Sequence, residues 1–261
     1  MNNSETIQIH LNSKFASSYN NNNNADCNFN LPNIEIEDGY YIHLSVQSCV
    51  IPYSFYNIDY TNNVLFYQEI LVDTNNNQIG TLNTTLNIAS GNYNALQLAS
   101  YLTSNLPRTT VTYSTITGKY TFFNSSNNFI IKNQYSTCLS LIGCATNDLY
   151  NTSVLKSLVS YTPANLSPRQ CICISSNLPT GNINNQLGSN RAIICSIPVV
   201  SQPFSLITYN NINGAKFNLY TNFINFISIR LSDQNGAVLN LNGQHFSITL
   251  QLDIIKFLDD N

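Results

Sequence analysis

The chain has 261 residues, of which 43% are hydrophobic and only 9% are charged, and its formal net charge is −3 at pH 7. A chain of this length can bury roughly 70 to 75% of its unfolded surface, so it needs neither disulfides nor a metal to fold. Direct nucleic-acid binding is not expected because it depends on clustered Lys and Arg, and the sequence has no such cluster. A surface with so few charged side chains is suited to permanent contact with neighbouring protein subunits.

The amino-terminal sequence Met1-Asn2-Asn3-Ser4-Glu5 has neither the positive start nor the apolar stretch of a secretory signal. Nowhere do about 18 apolar residues follow one another, which is the length that a membrane helix needs. We therefore expect a soluble protein that is not secreted and has no membrane span.

Alternating apolar and polar residues predict strands in the first fifty residues. Near the start, Ile7, Ile9 and Leu11 point to one side and their polar neighbours to the other. Residues 42–47 repeat this pattern. Between them, residues 20–24 are all asparagine. This polar tract predicts a loop, either a solvated linker or an arm that orders on a neighbour.

An aromatic segment, residues 51–60, follows the strand predicted at 40–50 and carries four rings within eight residues. Pro52 prevents the strand from extending its ladder. Tyrosine suits interfaces because its ring contributes area while its hydroxyl tolerates water. The rings either cap the end of a β-sandwich or form an assembly interface. The candidate interface residues are Tyr53, Phe55, Tyr56 and Tyr60.

A helical pattern then interrupts the strands. Residues 93–106 place leucine and alanine side chains on one face and end before a proline, which predicts an amphipathic helix with Asn92 as its cap. The turn at 116–118 predicts a β-hairpin after the helix. Residues 91–148 are therefore predicted to form a small α+β insertion.

Strand patterns dominate the rest of the chain, and the last, residues 245–254, alternates over ten positions. Asn-Gly pairs in this half supply the positive φ that tight hairpin turns require. Further strand candidates are residues 64–72, 81–89, 169–175, 192–198 and 223–232. The pattern predicts a mainly β protein, a two-sheet sandwich for which a single jelly roll is one standard solution. This jelly-roll β-sandwich would be discontinuous, formed by residues 1–90 and 149–261.

The sequence shows no clear motif for catalysis or for metal or cofactor binding. His10, His43 and His245 fall on the polar faces of predicted strands without a metal-binding spacing, so we expect exposed hydrogen-bonding residues. The seven cysteines have an odd count and no CxxC spacing, which argues against disulfides or a thiolate zinc site. We expect buried thiols, with Cys171 and Cys173 on one face of a strand. No nucleophile elbow, phosphate loop or pair of facing carboxylates stands out. We expect no enzyme, no cofactor and no metal.

An ordered series of short motifs carries a resemblance to a known family. The series consists of Ile51-Pro52-Tyr53-Ser54-Phe55-Tyr56-Asn57-Ile58, Ser90-Gly91-Asn92-Tyr93-Asn94 with its helix, residues 139–143, Ile197-Pro198, residues 227–236, and Asn242-Gly243 before the final strand. From residue 40 onward the chain resembles the penton, or minor capsid, proteins of virophages and polinton-like viruses. The resemblance implies a single jelly roll with an insertion, assembled as a ring of five at icosahedral vertices and contacting the double-jelly-roll major capsid protein. It offers no catalytic residues to carry over.

Two functions from different classes stay open. The first is a structural capsid protein, a homo-oligomer and by resemblance a pentamer, which self-assembles, contacts the major capsid protein, and resides in the virion after assembly in the host cytoplasm. The alternative is a lectin-like or adhesin jelly roll that stacks sugar rings on Tyr113, Tyr120 or Phe123. A hydrolase is not expected because no nucleophile and base can be paired.

Overall fold

The computed structural model describes residues 4–75, 77–144, 149–150, 156–181 and 191–256. The chain divides into two compact units. Unit 1 consists of Met1–Phe55 and Arg169–Asn261, and unit 2 consists of Tyr56–Pro168. The segment 91–148 lies wholly within unit 2, which also takes in strands before and after that segment.

Strands dominate both units, which confirms the mainly β class. In chain order they are β1 (Ser4–Asn12), β2 (Ser18–Tyr19), β3 (Asp26–Glu35), β4 (Tyr40–Pro52), β5 (Val64–Val72), β6 (Gln78–Asn87), β7 (Thr109–Ser114), β8 (Lys119–Asn124), β9 (Asn128–Ile131), β10 (Leu149–Tyr150), β11 (Ser157–Val159), β12 (Cys171–Ser176), β13 (Ala192–Pro198), β14 (Leu206–Asn210), β15 (Phe217–Leu219), β16 (Phe223–Ser232) and β17 (Ser247–Lys256). The helix α1 spans Ala95–Asn105, and short 3₁₀ helices span Ser13–Phe15 and Asn20–Asn22.

The strand order of unit 1 is that of a jelly roll. One sheet has the order β1-β17-β4-β14, with β15 also pairing with β4, and the other has the order β13-β12-β16-β3-β2. If the eight principal strands are numbered along the chain, leaving out β2 and β15, the sheets read 1-8-3-6 and 2-7-4-5. This double Greek key is the jelly-roll topology. Unit 2 enters the chain between the third and fourth of these strands.

Period-two alternation places the core of unit 1 between its two sheets. In β17, Ile248, Leu250 and Leu252 are buried, whereas Thr249 and Gln251 lie on the other face. A shift of one residue would turn each buried side chain outward, so the pattern fixes the register. Each fully buried Ile or Leu contributes about 1.5–3 kcal/mol. Other members of this core are Ile42, Leu44, Val46, Ile172, Ile174, Ile227, Ile229 and Leu231.

Unit 2 has a separate core. Its two antiparallel sheets have the orders β10-β9-β5-β6 and β11-β8-β7. Helix α1 contributes the buried side chains of Leu98, Ala99 and Leu102 to this core. Strands β8 and β9 contribute aromatic rings, among them Phe122 and Phe129. Among the described residues, no helix combines the length and hydropathy needed to cross a membrane.

The start of α1 differs by two residues from the prediction. The helix begins with a capping box, in which the Asn94 side chain accepts from the backbone N–H of Gln97 and the Gln97 side chain accepts from that of Asn94. Asn92 is therefore not the cap. Its side-chain oxygen accepts instead from the backbone N–H of Asn57 at 2.9 Å.

The asparagine tract is an ordered loop of unit 1. The side-chain amide of Asn23 donates to the backbone oxygen of Leu239 at 3.0 Å, and that of Asn24 donates to the backbone oxygen of Gln244 at 3.2 Å. The tract connects β2 to β3 as the loop prediction expects, although its first three residues, Asn20–Asn22, form a short 3₁₀ helix. These two amides find their partners within their own unit, which removes the need for a neighbour to order them.

A fully buried carboxylate links the two sheets of unit 2. The Glu69 side chain, on β5, is 0% exposed and accepts from Nε and Nη2 of Arg108 at 3.3 and 2.5 Å. Asn124, on β8, donates from Nδ2 to Oε1 of Glu69 at 2.5 Å. The hydroxyls of Tyr67 and Thr109 lie 2.6 Å apart beside them. Because β5 and β8 belong to different sheets, this network fixes how the sheets pack.

Candidate assembly surface

Tyr53 and Phe55 lie where the chain leaves β4 in unit 1. Phe55 is 2% exposed and belongs to the core, and its ring stacks on that of Tyr53 with centroids 4.4 Å apart. The guanidinium of Arg169 lies 6.0 Å from the centroid of the Phe55 ring. Burial raises the pKa of Tyr53, and the charge of Arg169 opposes that rise. These rings pack at the end of the sandwich, so Phe55 has almost no surface to offer a partner.

Tyr56 and Tyr60 lie in the first residues of unit 2. Tyr56 is half-buried, whereas Tyr60 is 78% exposed. Tyr60 lies in a turn in which the Asp59 carboxylate accepts from the backbone N–H and the hydroxyl of Thr61 at 2.9 and 2.5 Å. The four candidate interface residues are thus divided between the units, and Tyr60 has the most exposed ring. Their role in assembly stays a prediction.

A tight turn, Gln202-Pro203-Phe204-Ser205, is joined to Tyr53. The backbone N–H of Phe204 donates to the oxygen of Tyr53 at 2.8 Å, and that of Tyr53 donates to the oxygen of Ser205 at 2.9 Å. Ser205 closes the turn on the oxygen of Gln202 at 3.3 Å. Phe204 has φ +67 and is 77% exposed. A turn with proline second and positive φ third ordinarily has glycine at the third position.

This turn belongs to a stretch without any charged residue, residues 192–215, which we call the neutral segment. It includes β13 and β14, and β14 is the last strand of its sheet. Among the described residues, one backbone edge of β14 therefore has no strand partner. The most exposed apolar side chains of the neutral segment are Val200, Phe204, Leu206 and Ile212. Exposed apolar side chains mark interaction sites where they form a contiguous patch.

The aromatic platform expected for sugar binding is only partly available. Tyr120 is 0% exposed, and its hydroxyl donates to the backbone oxygen of Ala95 at 3.0 Å. Tyr113 is half-buried, with its ring centroid 5.2 Å from that of Tyr120. Phe123 is 46% exposed. Because sugar stacking requires an open ring face, the prediction is wrong for Tyr120.

The three histidines have different neighbours, and the ring of His43 lies with its centroid 5.2 Å from that of Tyr41. Nδ1 of His10 lies 3.0 Å from the hydroxyl of Thr249, and Nδ1 of His245 lies 3.1 Å from that of Ser13. His10 is exposed as expected, whereas His43 and His245 are half-buried. Within the described parts of the chain, no group of three or more His, Cys, Asp or Glu side chains is placed to hold a metal ion.

The seven cysteines all lie in the described parts of the chain, none of them forms a disulfide, and most are buried. Cys171 and Cys173 have their Sγ atoms 3.9 Å apart on one face of β12, as their spacing predicts. Burial raises the pKa of Cys49 and of Cys138 to about 12. A thiol with so high a pKa is a poor nucleophile because its thiolate is scarcely populated near neutral pH.

No protein-family model matches the sequence, and no curated protein matches it. A comparison of structures does find a neighbour, the crystal structure of selenomethionine-labelled mavirus penton protein. The TM-score is 0.54 at 8% sequence identity, with 96% of this chain and 100% of that chain covered. This chain has a penton-like fold. The resemblance stated from the sequence motifs is thereby confirmed for the fold.

Two features of unit 1 lie outside the sequence predictions. Strands β14 and β15 lack a clear alternating pattern because they are short, and in β14 only Ile207 is buried. The turn at Phe204 lacks the glycine that would mark it. The sequence does contain one indication of this turn, Pro203, because proline favours the second position of a turn.

Proposed function

We propose that this protein is a structural capsid protein, the penton that forms the five-fold vertices of an icosahedral virion. The observation that carries the proposal is the jelly roll interrupted between its third and fourth strands, similar over 96% of the chain to the mavirus penton protein. In this proposal the chain forms a homopentamer, contacts the major capsid protein, and is assembled into the virion in the host cytoplasm. Its role is structural and not enzymatic.

The distribution of charge supports assembly through neutral contacts. Four ion pairs among the described residues join a buried carboxylate to a cation of the same chain, and two of them share Asp26. The carboxylates of these pairs are those of Asp26, Glu69 and Asp253. Side chains paired in this way add little net charge to the surface. Contacts between copies then avoid the desolvation of ions, which is costly when a charge is buried without a partner.

Closure of a ring requires that each copy present two different patches to its neighbours. A contact between two different patches repeats from copy to copy and closes when the rotation allows it. We propose Tyr53, Tyr56 and Tyr60 as contributors to these contacts, with Tyr60 the most accessible of the three. Tyrosine is enriched at such interfaces.

Native mass spectrometry of the purified full chain over a series of concentrations tests the proposal, with negative-stain electron microscopy of the same samples. We expect a species of five times the subunit mass and ring-shaped particles. Co-expression with the major capsid protein of the same virus should place this protein at the vertices of the resulting particles. A strictly monomeric protein at high concentration that also stays out of such particles would contradict the proposal.

A further inference from the structure

Phe204 combines a strained backbone conformation with an exposed aromatic ring. Phe204 has φ +67, in the left-handed region that bulky residues rarely adopt and that glycine adopts freely. Its side chain is 77% exposed, so burial within this chain does little to offset the strain. Residues held in such conformations cluster at functional sites. The conformation therefore points to a use for the ring outside the isolated chain.

The turn is held rigidly from both sides. Phe204 donates its backbone N–H to the oxygen of Tyr53, and Tyr53 donates its own to the oxygen of Ser205, at 2.8 and 2.9 Å. The Ser205 hydroxyl donates to the oxygen of Gln202 at 2.5 Å. Pro203 fixes the remaining φ of the turn. A ring presented on a rigid support loses little conformational entropy on binding, which favours affinity.

The segment that flanks Phe204 in the chain is uncharged and carries exposed apolar side chains. Val200 is 86% exposed and Leu206 is 58% exposed, and both flank the turn in the chain. No charged residue occurs between positions 192 and 215. An aromatic side chain amid smaller apolar ones has the composition of an interface anchor, on which a few residues supply most of the binding free energy.

We propose that Phe204 anchors the contact between neighbouring copies of this chain, with the exposed Val200 and Leu206, which flank it in the chain, contributing to the same contact. The proposal rests on the proposed function and specifies one surface of that assembly. A second copy is favoured over a charged partner because the neutral segment offers no charge for electrostatic recognition, while two copies meeting there experience no like-charge repulsion. Strand β14 begins at Leu206, and one of its edges has no strand partner within the described ranges, which lets a neighbour approach the backbone closely.

The test compares self-association with subunit stability in Phe204→Gly and Phe204→Asn. Both replacements suit a positive φ and remove the ring. We expect the dissociation constant for self-association, measured by sedimentation velocity, to rise at least tenfold in both variants. The melting temperature, measured at a dilution where all variants are monomeric, should stay equal to that of the wild type or exceed it. Dilution is needed because assembly raises apparent stability by mass action.

Two control variants separate the ring from general apolar surface. Phe204→Tyr keeps an aromatic ring and should assemble within about threefold of the wild type, since the lost affinity is attributed to the ring. Ile116→Ser removes a side chain that is 95% exposed in unit 2 and should leave the dissociation constant unchanged. If Phe204→Gly associates as tightly as the wild type, the anchor is overturned while the penton proposal stands. A wild-type chain that does not self-associate overturns both.

Discussion

Replacing Arg108 with alanine should destabilise unit 2, because it leaves the buried Glu69 carboxylate without its counter-charge. Both oxygens of that carboxylate accept from the guanidinium, and the Glu69 side chain is 0% exposed. Removing one partner of a buried ion pair costs about 3–5 kcal/mol. The Arg108 side chain is 46% exposed, so solvent screens part of the attraction. We therefore expect a loss of about 3 kcal/mol, the lower end of that range.

A second substitution, at Glu69, separates the effect of the buried charge from the effect of side-chain shape. Glu69→Gln keeps the side-chain outline, and its amide oxygen can still accept from Nδ2 of Asn124, which lies 2.5 Å from Oε1 in the native network. The double variant E69Q/R108A then buries no unpaired charge. We expect it to be more stable than R108A alone by about 1–2 kcal/mol, although it carries one more substitution.

Urea and thermal unfolding followed by circular dichroism measure both effects. A change of 1 kcal/mol moves the melting temperature by about 4–8 °C for a domain of 60–100 residues and by about 2–4 °C for one of 150–250 residues. Unit 2, Tyr56–Pro168, lies between these sizes, so R108A should melt roughly 12 °C lower. Arg108→Lys is the matched control, since it keeps the charge but not the planar fork, and it should fall between the wild type and R108A. The reasoning is refuted if R108A matches the wild type or if the double variant is the less stable of the two.

Three further predictions concern stability and reactivity. Gly143→Ala should lower the melting temperature and the soluble yield, because Gly143 has φ +71 and a Cβ there would overlap the backbone oxygen of Thr162; an unchanged melt would contradict this packing. Burial raises the pKa of the Asp253 carboxyl, but hydrogen bonds from its neighbours outweigh it and hold the pKa below the ordinary value of 3.8. The stabilisation is then present above that value and lost as pH falls below it, so Asp253→Asn should flatten the acid side of a plot of unfolding free energy against pH. Iodoacetamide should label the half-buried Cys171 of the native protein before Cys138, whose pKa burial raises to about 12, and mass spectrometry of peptides would reveal the opposite order.

The alternating patterns predict most of unit 1 because each long strand has one face on the core. The last predicted strand, 245–254, corresponds to β17 at Ser247–Lys256, and the pattern at 42–47 lies within β4. Short strands such as β15 bury too few residues to leave a period. A two-residue periodicity also says nothing about which sheet a strand joins, so β5 and β6 read like sandwich strands although they belong to unit 2.

The features that could not be predicted from the sequence depend mostly on contacts between residues far apart in the chain. Glu69 and Arg108 are 39 positions apart, and no local pattern pairs them. The aromatic segment is recognisable from its composition, but the same composition serves a buried ring at Phe55 and an exposed one at Tyr60. Phe204 is hidden for a different reason, because its conformation is one that its residue type disfavours. Burial and strain of this kind are decided by tertiary packing.

The two segments of unit 1 meet at the point where unit 2 is inserted into the chain. The ring of Phe55, the last residue before unit 2, lies 6.0 Å from the guanidinium of Arg169, the first residue after it. Modules are tolerated at sites where the entering and leaving ends lie side by side. The jelly roll thus has a natural grafting point, where one module can be exchanged for another of different size while the eight-strand framework keeps its register.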